Sequence, residues 1–155
     1  MLVNTVTYEV STSQLYGVIW KTRHQKDASQ DFLSGPIMNM NHIHLGTKDL
    51  SKSQAFYEKY FGFRKKFDHG KGVFLVNDHN FLMAIDPVDQ LPEFPEWYHI
   101  GFCLDNEAQA LSLYDQMKAD SVVIARDMMK EAGEFASFYI RDPDGNKIEI
   151  SWHNE

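Results

Sequence analysis

The chain reads as an α+β protein made of two copies of a βαβββ unit. Three observations predict this. The order of hydrophobic periodicities occurs twice, a proline-rich stretch divides the two occurrences, and each opens on a strand that carries histidine. In the first copy that strand is Asn41 to Thr47, where Ile43 and Leu45 alternate with His42 and His44. Lys48-Asp49-Leu50-Ser51 then leads into a helix with Ser53, Phe56, Tyr57 and Tyr60 on one face. Asp49 or Ser51 caps it and Gly62 closes it. Short strands follow at Phe63 to Asp68, Gly72 to Asn77 and Phe81 to Asp86, with Gly70 and Asn77-Asp78 as turns.

Pro87 to Pro95 is the divider. The second copy begins with a strand at Trp97 to Leu104. A helix at Asn106 to Lys118 follows, burying Ala110, Leu113, Tyr114 and Met117. Strands at Val122 to Arg126, Ala136 to Arg141 and Lys147 to Trp152 complete it, the last two joined by the turn Asp142-Pro143-Asp144-Gly145. The modules thus span about 38–88 and 96–155.

Residues 1–37 read differently. Thr5 to Val10 alternates weakly like a strand, Leu15 to Trp20 is apolar, Lys21 to Gln30 is polar, and Ser34-Gly35-Pro36 is a break. The functional domain is expected to begin near Met38 and run to residue 155. The segment before it, residues 1–37, is an N-terminal extension, either an added strand, a disordered segment or the product of an upstream start site.

Composition narrows the function classes. A net charge of −7 without a lysine or arginine run excludes a basic footprint for nucleic acid or an anionic membrane surface. No apolar stretch approaches the roughly 20 residues of a membrane span, and the N-terminus lacks a secretory pattern. A lone cysteine, Cys103, excludes an internal disulfide and suits a reducing compartment, so the cytoplasm is expected.

Of seven histidines, His42 and His99 stand out because they occupy matching places in the two opening strands. Alternation puts His42 on a face with His44 and Gly46, and His99 on a face with Gly101 and Cys103. In the final strand Glu149 lies opposite the core-facing Ile148 and Ile150. Two imidazoles and a carboxylate meeting in a cleft would leave coordination positions open on Fe(II), Mn(II), Ni(II) or Zn(II). Periodicity alone equally allows two histidines bonded within their sheets and a solvated glutamate.

Asn41-His-Ile-His-Leu-Gly-Thr-Lys-Asp-Leu-Ser-Lys-Ser-Gln-Ala-Phe-Tyr57, continuing to Phe61-Gly62-Phe63, resembles the opening of glyoxalase, bleomycin-resistance and extradiol-dioxygenase proteins. Ser137-Phe-Tyr-Ile-Arg-Asp-Pro-Asp-Gly-Asn-Lys-Ile-Glu149 resembles the closing signature of the same vicinal oxygen chelate superfamily. The likeness runs from about Met38 to Trp152. It implies that the modules form a cupped mixed sheet with helices on its outer face, around a divalent metal held by His42, His99 and Glu149. It also implies a small-molecule substrate and pairing into a homodimer, with one site drawing on one chain or on two.

Within the superfamily, an Fe(II) extradiol-type dioxygenase is the first expectation. Tyr139 and His44 are its candidate catalytic groups, Tyr139 matching a tyrosine that helps hold the substrate. A glyoxalase-like isomerase or lyase on Ni(II) or Zn(II) would need a fourth ligand, whose slot is Ala84; Asp86 lies two residues on, on the same face. A fosfomycin-type thiol transferase would need a cationic pocket, for which Lys48, Arg64, Arg126, Arg141 and Lys147 are the candidates. A non-catalytic, bleomycin-resistance-like binder would use the aromatic surface of Trp97, Tyr98, Phe102, Phe138 and Trp152.

Overall fold

A computed structural model describes residues 39–154, so the expectations for residues 1–37 fall outside the described residues. The elements run β1 (His42–Thr47), α1 (Leu50–Tyr60), β2 (Arg64–His69), β3 (Gly72–Val76), β4 (Leu82–Pro87), β5 (Ile100–Cys103), α2 (Glu107–Ala119), β6 (Val123–Glu131), β7 (Phe135–Arg141) and β8 (Lys147–His153). This is βαβββ twice.

Each module makes its own four-stranded mixed sheet, in the order β1-β4-β3-β2 and β5-β8-β7-β6. The first and last strands of each module pair in parallel and the remaining pairs are antiparallel. Among the described residues the opening strand of each sheet lies at an edge: β1 bonds β4 alone, and β5 bonds β8 alone.

Local chemistry explains the boundaries. Asp49 caps α1 by accepting from the backbone N–H of Lys52, and Asn106 caps α2 by accepting from that of Gln109. Gly62, at φ +65°, turns the chain out of α1 in a left-handed conformation that costs glycine little. Two strands differ from the sequence reading. β5 begins only at Ile100, so His99 sits just ahead of the ladder; β6 runs on to Glu131 because register shifts on either side of Arg126 bend it and let it keep pairing with β7.

One core serves both modules. Leu45, Tyr57, Phe63, Leu75, Met83 and Ile85 from the first pack with Met117, Phe138, Ile140, Ile148 and Ile150 from the second. The alternating isoleucines of β8 are fully buried, as their period requires. The rings of Phe61 and Phe102 meet across the modules at 4.5 Å.

A polar joint reinforces this core. The Tyr57 hydroxyl donates to Asp142 Oδ2 at 2.7 Å, and the Ser53 hydroxyl donates to Asp144 Oδ2 at 2.6 Å. The Lys48 backbone N–H donates to Asp144 Oδ1 at 2.8 Å. Asp142 also accepts from the backbone N–H groups of Asp144 and Asn146 and from the Asn146 side-chain amide. Burial, then the charge of Asp142 beside it, pushes the Tyr57 phenol far above its ordinary range, so it remains a donor. The turn Asp142–Asn146 therefore fastens the start of β8 to the β1–α1 junction.

Candidate metal centre

On β8, Glu149 stands on the face opposite the core and is cross-paired with Gly101 on one side and Tyr139 on the other. Its Oε2 lies 3.1 Å from His99 Nε2, and its Oε1 accepts from the Ser137 hydroxyl at 2.8 Å. The Tyr139 phenol lies beside the same carboxylate, its cross-strand neighbour. Burial pushes the Glu149 carboxyl up, but the two hydroxyls and His99 outweigh it and hold it below the usual range. Burial, then the neighbouring Glu149 carboxylate, raises the Tyr139 phenol.

The other nitrogen of His99 decides what can lie between the pair. Nδ1 is 2.9 Å from the Trp97 carbonyl, which can only accept, so Nδ1 carries the proton. In the neutral imidazole Nε2 then presents a lone pair toward an ionised carboxylate. Two acceptors at 3.1 Å need a cation between or beside them, a proton or a metal ion. A backbone carbonyl orienting the far nitrogen is the usual support for a metal-bound histidine. His42 is prepared in the same way: Nδ1 donates to Asn41 Oδ1 at 2.7 Å and leaves Nε2 open. A side chain at Gly101, between His99 and Cys103, would meet no neighbouring atom, so the space over Glu149 is clear. The donor set fits a divalent metal with open positions.

The predicted ligands are divided. His99 and Glu149 are brought together on the second sheet, and His42 lies at the exposed edge of the first. Among the described residues of one chain, no group of three or more His, Cys, Asp or Glu side chains gathers for a metal.

The β1–β4 register pairs His44 with Ala84, as the β5–β8 register pairs Gly101 with Glu149. Ala84 thus occupies the place in the first module that Glu149 has in the second. The Asp86 carboxylate is engaged elsewhere, accepting from His44 Nε2 at 2.7 Å.

The cationic candidates also sort themselves. Lys48 donates to the carbonyls of Val88 and Asp89, Arg64 pairs with Asp78, and Arg141 holds both oxygens of Glu96. Arg126 and Lys147 are the two that reach the centre, lying 6.0 and 5.4 Å from the ring centroid of Tyr139. Lys147 is held there by the Glu96 carbonyl at 2.8 Å and pairs with the Glu96 carboxylate at 3.6 Å. Asn41, Ser137 and the Trp97 carbonyl were missed by sequence reasoning. Asn41 and Ser137 at least adjoin a flagged residue or share its face, but a backbone carbonyl leaves no mark in a sequence.

The aromatic candidates for a binder divide likewise. Phe138 is fully buried and Phe102 packs against the core, while Trp97 is exposed beside Tyr98, which stacks on Phe94 at 4.5 Å. A cavity of about 650 Å³ lined by Phe61, Phe102 and Ile150 opens on the other side of β8 from Glu149, so it is separate from the centre.

Paired βαβββ modules with a histidine–carboxylate centre define a class of metal-binding α+β proteins. The chain belongs to the Glyoxalase/Bleomycin resistance protein/Dioxygenase superfamily, whose model matches residues 39–150. Superfamily members use divalent metals. The chain is 28% identical over 117 residues to metallothiol transferase FosB of Lysinibacillus sphaericus, covering 74% of this chain and 82% of that one. It is 30% identical over 119 residues to a probable trivalent organoarsenical cleaving enzyme of Bacillus subtilis, covering 72% and 79%. Among solved structures, the fosfomycin resistance protein FosX of Listeria monocytogenes matches with a TM-score of 0.66 and 26% identity, covering 77% and 96%. Of these three, the metallothiol transferase matches the thiol-transferase alternative, and none is named as the dioxygenase expected first. No helix of the described residues is long and apolar enough to cross a membrane.

Proposed function

We propose that the protein is a divalent-metal-dependent transferase acting on a small anionic molecule, each site taking His99 and Glu149 from one protomer and His42 from its partner. The observation that carries this is the facing of His99 Nε2 and Glu149 Oε2 at 3.1 Å, with Nδ1 already committed to Trp97. Among the described residues of one chain, no third ligand joins that pair and no cluster of three forms around His42. Both histidines flank strands, β1 and β5, that are sheet edges among the described residues. An isologous pairing that lays β1 of one protomer against β5 of the other completes two equal sites at once.

A bound metal would supply Lewis acidity to vicinal oxygens of the substrate. The chain's own residues do the rest. Ser137 orients Glu149, and the Tyr139 phenol beside it helps keep the carboxylate ionised. Arg126 and Lys147 take the substrate's negative charge. That cationic pair favours a transferase like the thiol-using relatives over an oxygenase, and Mn(II) or Fe(II) suits the nitrogen–oxygen donor set. We assign the protein to the cytoplasm, where an exposed thiol such as Cys103 stays reduced.

The test is complementation between two metal-binding variants. His42→Ala and Glu149→Ala proteins, each purified and then unfolded and refolded together, should regain metal in roughly a quarter of the sites, because half the dimers are mixed and each holds one intact site. Metal-free mixtures would overturn the two-chain site. Thiol consumption with an epoxide phosphonate under Mn(II), set against O₂ uptake with catechols under Fe(II), separates transferase from oxygenase.

A further inference from the structure

The second imidazole–carboxylate pair, His44–Asp86, repeats the geometry of His99–Glu149. In the first module Asp86 stands two residues beyond Ala84, the cross-strand partner of His44, and in the second Glu149 pairs with Gly101, two residues beyond His99. The first-module pair is displaced by two residues along its strand, about 7 Å from the position equivalent to His99. It is also a built pair. A side chain on Gly72 would come within 1.7 Å of Asp86 Oδ1 and 2.5 Å of the Ile85 carbonyl, so only glycine leaves room for this carboxylate. The His44 side chain is 59% exposed, and an ion pair so open adds little to stability. Folding alone does not account for it.

Asp86 accepts from Nε2–H, which leaves Nδ1 of His44 as an acceptor of fixed direction on the face it shares with His42. We propose that His44 is a substrate-binding residue, accepting a hydrogen bond from a hydroxyl group of the molecule chelated at the metal, and that Asp86 is its positioning residue rather than a metal ligand. This rests on the two-chain reading, which brings the His42 face of one protomer over His99 and Glu149 of the other.

Two probes isolate that hydrogen bond. Glycolate and methoxyacetate chelate alike through a carboxylate and a neighbouring oxygen, but only glycolate keeps a hydroxyl donor. Both are titrated into the full-length protein loaded with Co(II), following the visible bands of the metal. The expected result is a preference for glycolate of about tenfold, the size of one directed hydrogen bond. That preference should vanish in His44→Ala and shrink in Asp86→Ala, while both variants still take up Co(II). Absence of the preference in the unaltered protein, or its survival in His44→Ala, would overturn this assignment alone. Failure of the unaltered protein to take up Co(II), or uptake undiminished by His42→Ala, would bring down the metal reading as well.

Discussion

The two modules share one architecture and divide the chemistry. At matching positions the first carries His42, His44, Ala84 and Asp86, and the second carries His99, Gly101, Glu149 and Ser151. The second module places its carboxylate where its histidine can share a cation. In the first, that place is Ala84, and the carboxylate has moved one strand step on, to His44. The difference teaches that strand register, rather than residue inventory, decides which histidine has a partner for a metal.

The largest expected effect breaks the comparison outright. Glu149→Ala should lower metal affinity by more than about a hundredfold, since it removes a ligand and leaves His99 facing nothing; elemental analysis after dialysis checks this. Next comes the joint that fixes one module to the other. Tyr57→Phe removes the donor to buried Asp142 and should destabilise the fold by about 1–3 kcal/mol, read from urea unfolding. Ser137→Ala frees one oxygen of Glu149, and the expected loss of metal affinity is about tenfold, measured by competition with a chelator. Smallest is Asp86→Ala, for which metal affinity should change by less than about twofold if Asp86 serves His44 and not the metal. A loss as large as that of Glu149→Ala would restore the four-ligand, glyoxalase-like reading.

Much of the fold was legible because strand and helix periods are local. Ile148 and Ile150 announce their burial and thereby send Glu149 to the other face. Asp49 and Asn106 announce the helix starts, and both serve as caps. What stayed hidden depends on meetings between distant segments. Nothing near Asp142 marks Tyr57 as its partner, 85 residues away in sequence. The seating of Asp86 against Gly72 depends on the β3–β4 register, and the length of β6 on bulges that an alternating pattern cannot foresee. Arg126 and Lys147 looked scattered because a sheet assembles its neighbours across strands rather than along them.

The turn Asp142–Asn146 is also the heart of the closing signature that identifies the superfamily. Its side chains are spent on joinery, gripping α1 and the end of β1, and none reaches the centre. A descendant that lost Glu149 or either histidine would still need that turn to keep its halves together. On the proposed ligand set the motif is a mark of lineage that would outlive activity, and positions 42, 99 and 149 are where its loss would show.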